Sequence, residues 1–326
     1  MISEYVQSIL NDNHFTVVKV LRYGPRFATI KVEHQGKDGL FKIALPRSEQ
    51  QMFRPADYYW TFHDTTIELE KRLIREAFTL QYLSQEISRQ FEPQIIAVNT
   101  SSPAWSLRTY VKDVGYEMGV SYHAFRKSFY ENISPRDMVQ FFNHLHVLSD
   151  DLPESVRSLM TPRSDLDNER KQRQQLALAY CQSTASLQSY HDDIQRCFAE
   201  ADAVRPGSRL VITHGEPYAP HFFGQHAHIG LIDWENAHLY DPTLDLSILY
   251  PRLFTNPPWQ LQFKAAVAVL GYFDDYGQLQ WNSSLLYECI YQHQWLNAGN
   301  TLFGPTYDQQ ALEYFSKTIA QTVNEL

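Results

Sequence analysis

Between His14 and Pro46 the chain alternates apolar and polar positions in three short segments, FTVVKVLRYG, RFATIKVEHQ and GLFKIALP. They are broken at Tyr23-Gly24-Pro25 and Gly36-Lys37-Asp38-Gly39. A period of two, β-branched residues and glycine punctuation predict an antiparallel meander. In its third segment Phe41, Ile43 and Leu45 share one face and Leu40, Lys42 and Ala44 the other. Lys42 therefore stands among apolar neighbours and needs an anionic partner. From Asp64 to Glu86 the period becomes helical: Leu73, Leu80 and Leu83 form a stripe, Glu76 lies on it, and Thr65 and Glu68 have capping-box spacing. Two opposite charges on inward faces satisfy each other best, so Lys42 and Glu76 are an expected ion pair.

Beyond residue 130 helical spacing dominates. Ser134-Pro135-Arg136-Asp137 supplies an N-cap, a first-turn proline and an acid ahead of Met138, Phe141, Phe142, Leu145 and Leu148. His146 on that helix is read as a structural residue. Asp150 to Arg173, with Pro153 and Pro162, reads as a charged connector leading into a helix from about Asp167 to Glu200. Further helices are expected near Trp259–Leu270, Leu285–Ala298 and Gln309–Val323, separated by Gly271–Asn282 and Gly299–Thr306. Between these helical stretches, Leu210–Thr213 and Ile229–Ile232 are short apolar runs, and the turn-like GQHAH between them suggests a hairpin. At its open end Glu216, His221 and Asp233 are placed to converge.

Length and charge narrow the class. At 326 residues, 44% of them hydrophobic, the chain exceeds the usual single-core limit of about 250–300 residues, so two lobes are expected. A net charge of −9 without a basic stripe argues against a nucleic-acid partner and weakly favours cationic or neutral small molecules. Cys181, Cys197 and Cys289 form neither a disulfide framework nor a metal motif, which suits reduced thiols in the cytosol. No apolar stretch approaches the roughly 20 residues of a membrane span, and no signal peptide is expected, because Met1–Leu10 lacks a long apolar core.

Chemistry concentrates in RLVITHGEPYAPHFFGQHAHIGLIDWENAHLYDPTLDL, residues 209–246. The ordered elements His214-Gly215-Glu216, His221, Ile232-Asp233-Trp234 and Asp241-Pro242-Thr243-Leu244-Asp245-Leu246 resemble the aminoglycoside phosphotransferase and choline kinase family, as does Arg75-Glu76-Ala77. That resemblance implies an α+β, two-lobed protein-kinase-like fold: a small antiparallel-sheet N-lobe with one key helix (1–110) and a mostly helical C-lobe (111–326). It implies transfer of the γ-phosphate of ATP, with Mg²⁺, to a hydroxyl of a small molecule that is aminoglycoside-, choline- or sugar-like. Glu216 falls on the catalytic base, Asp233 on the principal magnesium ligand and His221 on an asparagine metal ligand. His214, grouped with these catalytic-loop residues, and Asp245 fall on positions that brace the loop. Lys42 and Glu76 fall on the pair that orders the ATP phosphates, Gly24 on the phosphate-covering turn, and Tyr110 and Val111 on the hinge beside adenine, with the lobe boundary near residues 109–114.

Two departures touch the chemistry. The base is glutamate, one methylene longer than aspartate, and histidine replaces asparagine at a position where a hard ion prefers oxygen. A catalytically impaired, pseudokinase-like binding or scaffolding protein is therefore the second reading. His221, His226, His228 and His238 also admit a zinc site, and Tyr250, Trp259, Trp281, Tyr287, Tyr291 and Trp295 are read mainly as core with a cation-binding cage as the alternative. Neither a G-x-S-x-G elbow nor a Walker motif is present.

Overall fold

The computed structural model describes all residues except 1, 25, 47, 50–65, 88–92, 111–128, 206–208, 226–227 and 301–304. The expected meander is β1 (Thr16–Tyr23), β2 (Phe27–His34) and β3 (Lys37–Ala44). β4 (Ile95–Asn99) and β5 (Trp105–Thr109) complete an antiparallel sheet of order β1-β2-β3-β5-β4. The β2–β3 turn is two residues, Gln35 and Gly36, both at positive φ, and His34 pairs with Lys37. That backbone matches the twist of the flanking strands, which sets the register that points Lys42 inward.

Each face of the sheet carries a helix. α1 (Glu4–Asp12), too short for its periodicity to stand out, places Val6, Ile9 and Leu10 against Phe41, Ile43 and Leu45. Ser3 caps it by accepting the Val6 N–H. α2 (Thr66–Glu86) covers the other face, with Leu69 and Leu73 on Phe27 and Ala44. Glu76 is buried on the predicted stripe. Thr65 of the expected capping box lies outside the described residues.

The remainder is mostly helical: α3 (Pro135–Leu148), α4 (Arg163–Ser183), α5 (His191–Val204), α6 (Leu244–Arg252), α7 (Pro257–Val269), α8 (Asp275–Asn297) and α9 (Pro305–Asn324). Ser134 caps α3 as anticipated, its hydroxyl accepting the Asp137 N–H. Three expectations are corrected. The connector ends earlier, because Pro162 starts α4 instead of interrupting a loop. The helix expected over 167–200 is two, split where Thr184 turns extended and Leu187 drops into the core; no glycine or proline marks that break. α8 begins ten residues before Leu285, because Asp274 caps it by accepting the Gly277 N–H. It is buried nearly all round, through polar Asn282, Ser283, Glu288 and Gln292 as well as apolar residues, so it shows no stripe.

The hairpin expectation is also corrected. β6 (Val211–Thr213) pairs with β9 (His238–Tyr240), while the hairpin joins β7 (Phe222–Gln225) to β8 (His228–Leu231). Two apolar runs in sequence do not specify which becomes the partner of which; the core beneath them does. Among the described residues no helix is long and apolar enough to cross a membrane. The three cysteines are free and buried.

Trp281 of α8 is fully buried against Phe273 and Tyr250, at ring separations of 5.1 and 5.4 Å. Trp281→Ala should lower unfolding free energy by about 3–5 kcal/mol in a denaturant titration.

Candidate functional site

β6 delivers the loop His214–Pro220, and α6 fixes it. Asp245, in the first turn of α6, accepts the backbone N–H of His214 at 2.6 Å and of Gly215 at 2.9 Å. His214 is buried, with both ring nitrogens committed to backbone: Nε2–H donates to the Ile232 carbonyl at 2.8 Å, and Nδ1 accepts the Glu216 N–H at 3.2 Å. A carbonyl only accepts and an amide only donates, so this tautomer is fixed. Burial lowers the His214 pKa to about 3. Its place is that of a neutral brace, not a proton carrier. Gly215 sits at φ +84°, and a Cβ there would meet the Asn236 carbonyl at 2.9 Å, so glycine is required.

Asp233 occupies the left-handed region, φ 71° and ψ 48°, where the chain leaves β8 for the short turn Trp234–Asn236. Aspartate tolerates that conformation better than most residues. The buried Trp234 anchors the turn, its indole N–H donating to the Leu231 carbonyl at 2.6 Å. Helix α2 binds the same turn, Arg72 donating to Asn236 and Arg75 to the Ala237 carbonyl.

These constraints bring Asp233 to Lys42. The buried Lys42 ammonium donates to Glu76, Asp233 and Glu235, each at 2.8 Å, and its Nζ lies 4.8 Å from the Phe27 ring centroid. Arg108 of β5, itself buried, donates to the other Glu76 oxygen at 2.7 Å. Burial resists ionisation of Asp233, but Lys42 and then His221 outweigh it and hold the carboxyl below the usual carboxylate range. Glu235 is pushed the other way, by burial and by the neighbouring acids. Oxygens of Glu76, Asp233 and Glu235 lie within 4.8 Å of one another; among the described residues no histidine joins such a group of three. Carboxylate oxygens converging here suit a divalent cation. His221 lies beside them, Nε2 being 3.7 Å from Asp233 Oδ2.

Lys42, Glu76 and Asp233 are thus together, as the sequence predicts. Glu216 is exposed at the loop's outer side, and its charge acts on Arg173 of α4 and Tyr291 of α8. A cavity of about 120 Å³ beside Gly215 is lined by Glu169, Arg173, His238, Tyr240 and Tyr287, among others. Of the aromatic residues, Trp259 and Trp281 are core, whereas Tyr287, Tyr291 and Trp295 are half-buried along one side of α8. Gly24 closes the β1–β2 turn by donating to the Phe27 carbonyl, and Tyr110 lies under the Lys31 ammonium at 4.6 Å. Val111 and His226 lie outside the described residues. Sequence reasoning missed Glu235 and Arg108, although a charge inside the apolar run Trp105–Val111 was a legible signal. It also missed Tyr218 and Arg252, whose guanidinium lies 3.5 Å from the Tyr218 ring centroid and bonds Glu288.

A sheet lobe and a helical lobe meeting at a buried lysine and a turn-borne aspartate define a kinase-like phosphotransferase fold. Residues 132–281 match the model of the phosphotransferase enzyme family. Aminoglycoside phosphotransferase APH(2'')-Ib, solved with ADP, superposes with a TM-score of 0.56 at 13% identity, covering 99% of each chain. Choline kinase LicA from Streptococcus pneumoniae gives 0.54 at 12% identity, over 98% of this chain and 100% of that one. Choline kinase from Cryptosporidium parvum gives 0.55 at 13%, over 99% and 96%. The search of curated proteins finds no match. The family match covers 150 of the 326 residues and includes the loop and turn that carry His214, Glu216 and Asp233, while the solved structures extend the same fold over nearly the whole chain.

Two outcomes follow from these buried charges. Lys42→Met removes the cation shared by three acids and should cost about 3–5 kcal/mol of stability by chemical denaturation, with part recovered in the double variant with Glu76→Leu. His146, like His214, is buried and held neutral, its pKa lowered to about 3 by burial. The unfolded chain binds those protons first, so stability is complete above about pH 6.5 and falls as pH drops toward 3. The slope is about 1.4 kcal/mol per pH unit for each histidine, and denaturation between pH 7 and 4 should show a smaller slope in His214→Gln.

Proposed function

We propose that this chain transfers the γ-phosphate of ATP to a hydroxyl of a small molecule. Residues 1–110 serve as the nucleotide lobe and residues 111–326 as the catalytic and acceptor lobe. The observation that carries this reading is the Lys42 ammonium 2.8 Å from both Glu76 and Asp233, residues that a phosphate-ordering site needs in one place. Glu76, steadied by Arg108, holds Lys42 toward the α- and β-phosphates. Gly24, Tyr110 and Val111 flank the nucleotide.

Asp233, assisted by Glu235 and His221, would hold Mg²⁺, which would supply positive charge against the phosphates. Glu216 accepts the proton of the acceptor hydroxyl, while Asp245 and His214 keep its backbone in place. The exposed Glu216 carboxylate and the adjacent cavity support an acceptor arriving from the α4–α8 side. Positioning and charge neutralisation supply most of the rate in such a site. Buried thiols at Cys181, Cys197 and Cys289 suit the cytosol.

A second reading, nucleotide binding without turnover, rests on Glu216 and His221 standing where the family has aspartate and asparagine. Transfer from labelled ATP into aminoglycosides, choline, ethanolamine and sugars separates the two. The first reading expects turnover that Asp233→Ala abolishes and Glu216→Gln lowers by at least about a hundredfold. ADP binding with no transfer to any acceptor would establish the second instead.

A further inference from the structure

The two oxygens of Asp233 have different surroundings. Oδ1 accepts from Lys42 at 2.8 Å, whereas Oδ2 faces His221 Nε2 at 3.7 Å. The other nitrogen of His221, Nδ1, lies 2.9 Å from the Glu216 carbonyl oxygen. That oxygen can only accept, so Nδ1 carries a proton, and Nε2 is the nitrogen turned toward Oδ2. A ring nitrogen and a carboxylate oxygen thus face one space, 3.7 Å apart, and a bound cation would displace any proton between them.

The imidazole is held in that orientation from both sides. Tyr218 stacks on it, with centroids 5.5 Å apart and an interplanar angle of 28°, and the His214 ring lies 5.6 Å away. Tyr218 is itself pinned by the Arg252 guanidinium, which Glu288 holds at 2.8 Å. Glu288 in turn accepts from Gln292 at 2.8 Å. A fixed ring offering one nitrogen beside a carboxylate oxygen is a mixed nitrogen–oxygen donor pair. Mg²⁺ favours an all-oxygen shell, whereas first-row divalent ions accept imidazole readily.

We infer that His221 Nε2 and Asp233 Oδ2 together make this site favour first-row transition-metal dications over Mg²⁺, with Mn²⁺ as the ion that reports it. The inference rests on the proposed metal site at Asp233 and changes the ion it prefers from Mg²⁺ to a first-row dication. A histidine at this position is then a determinant of metal choice and not a mark of a decayed site.

The test uses the full chain with ADP and needs no turnover. Pulsed electron paramagnetic resonance of bound Mn²⁺ should show coupling to one histidine nitrogen, which changes on ¹⁵N-histidine labelling and disappears in His221→Asn. Equilibrium titrations should show a Mn²⁺ over Mg²⁺ affinity ratio at least about tenfold higher in the native chain than in His221→Asn. Mn²⁺ bound without nitrogen coupling, or equal ratios in the two proteins, would overturn the inference while leaving a metal at Asp233. Binding of neither ion would remove the metal reading and this inference together.

Discussion

The rest of the molecule is organised around one buried ammonium. Lys42 has no apolar solution, since its face of β3 is covered by α2, and it is neutralised from both halves of the chain at once. Burying charge is costly, and only a closed set of short hydrogen bonds offsets the lost hydration. That set exists only when β3, α2, β5 and the turn after β8 are all in place. The network is therefore weak evidence for extra stability and strong evidence for one arrangement, because any slip of the sheet or of α2 leaves a charge without its partner.

The loop His214–Pro220 is fixed by the same logic, here through backbone groups. Asp245 takes two backbone donors, His214 takes one backbone donor and gives to one backbone acceptor, and Gly215 allows the chain to pass the Asn236 carbonyl. On the far side the stack of His221, Tyr218 and Arg252 ties the loop to α6 and α8. Glu216 is left as the loop's exposed acid, held by its backbone N–H on His214.

Strong local signals survived folding. The meander, the faces of β3, the helical stripe bearing Glu76 and the Ser134 cap all follow from periods of two or 3.6 and from capping chemistry, which neighbours along the chain already fix. The pairing of Lys42 with Glu76 was legible for the same reason, since two inward charges on adjacent elements have few alternatives. α8 was misjudged because a helix buried on every side loses the contrast on which periodicity depends, and some of its polar residues pair with distant groups such as Arg252 and the Ala201 carbonyl. The break at Thr184 left no mark because Leu187 ends the helix by entering the core, a long-range event.

The sequence by itself determined the strand and helix periods, the inward charges and the order of the motif residues, because these depend on backbone geometry and on nearest neighbours. Tertiary structure decided which strand pairs with β6, which oxygen of Asp233 faces Lys42 and which faces His221, and that Glu235 and Arg108 belong to the site. Those outcomes depend on distances between residues as many as 193 positions apart, which only the packed core sets.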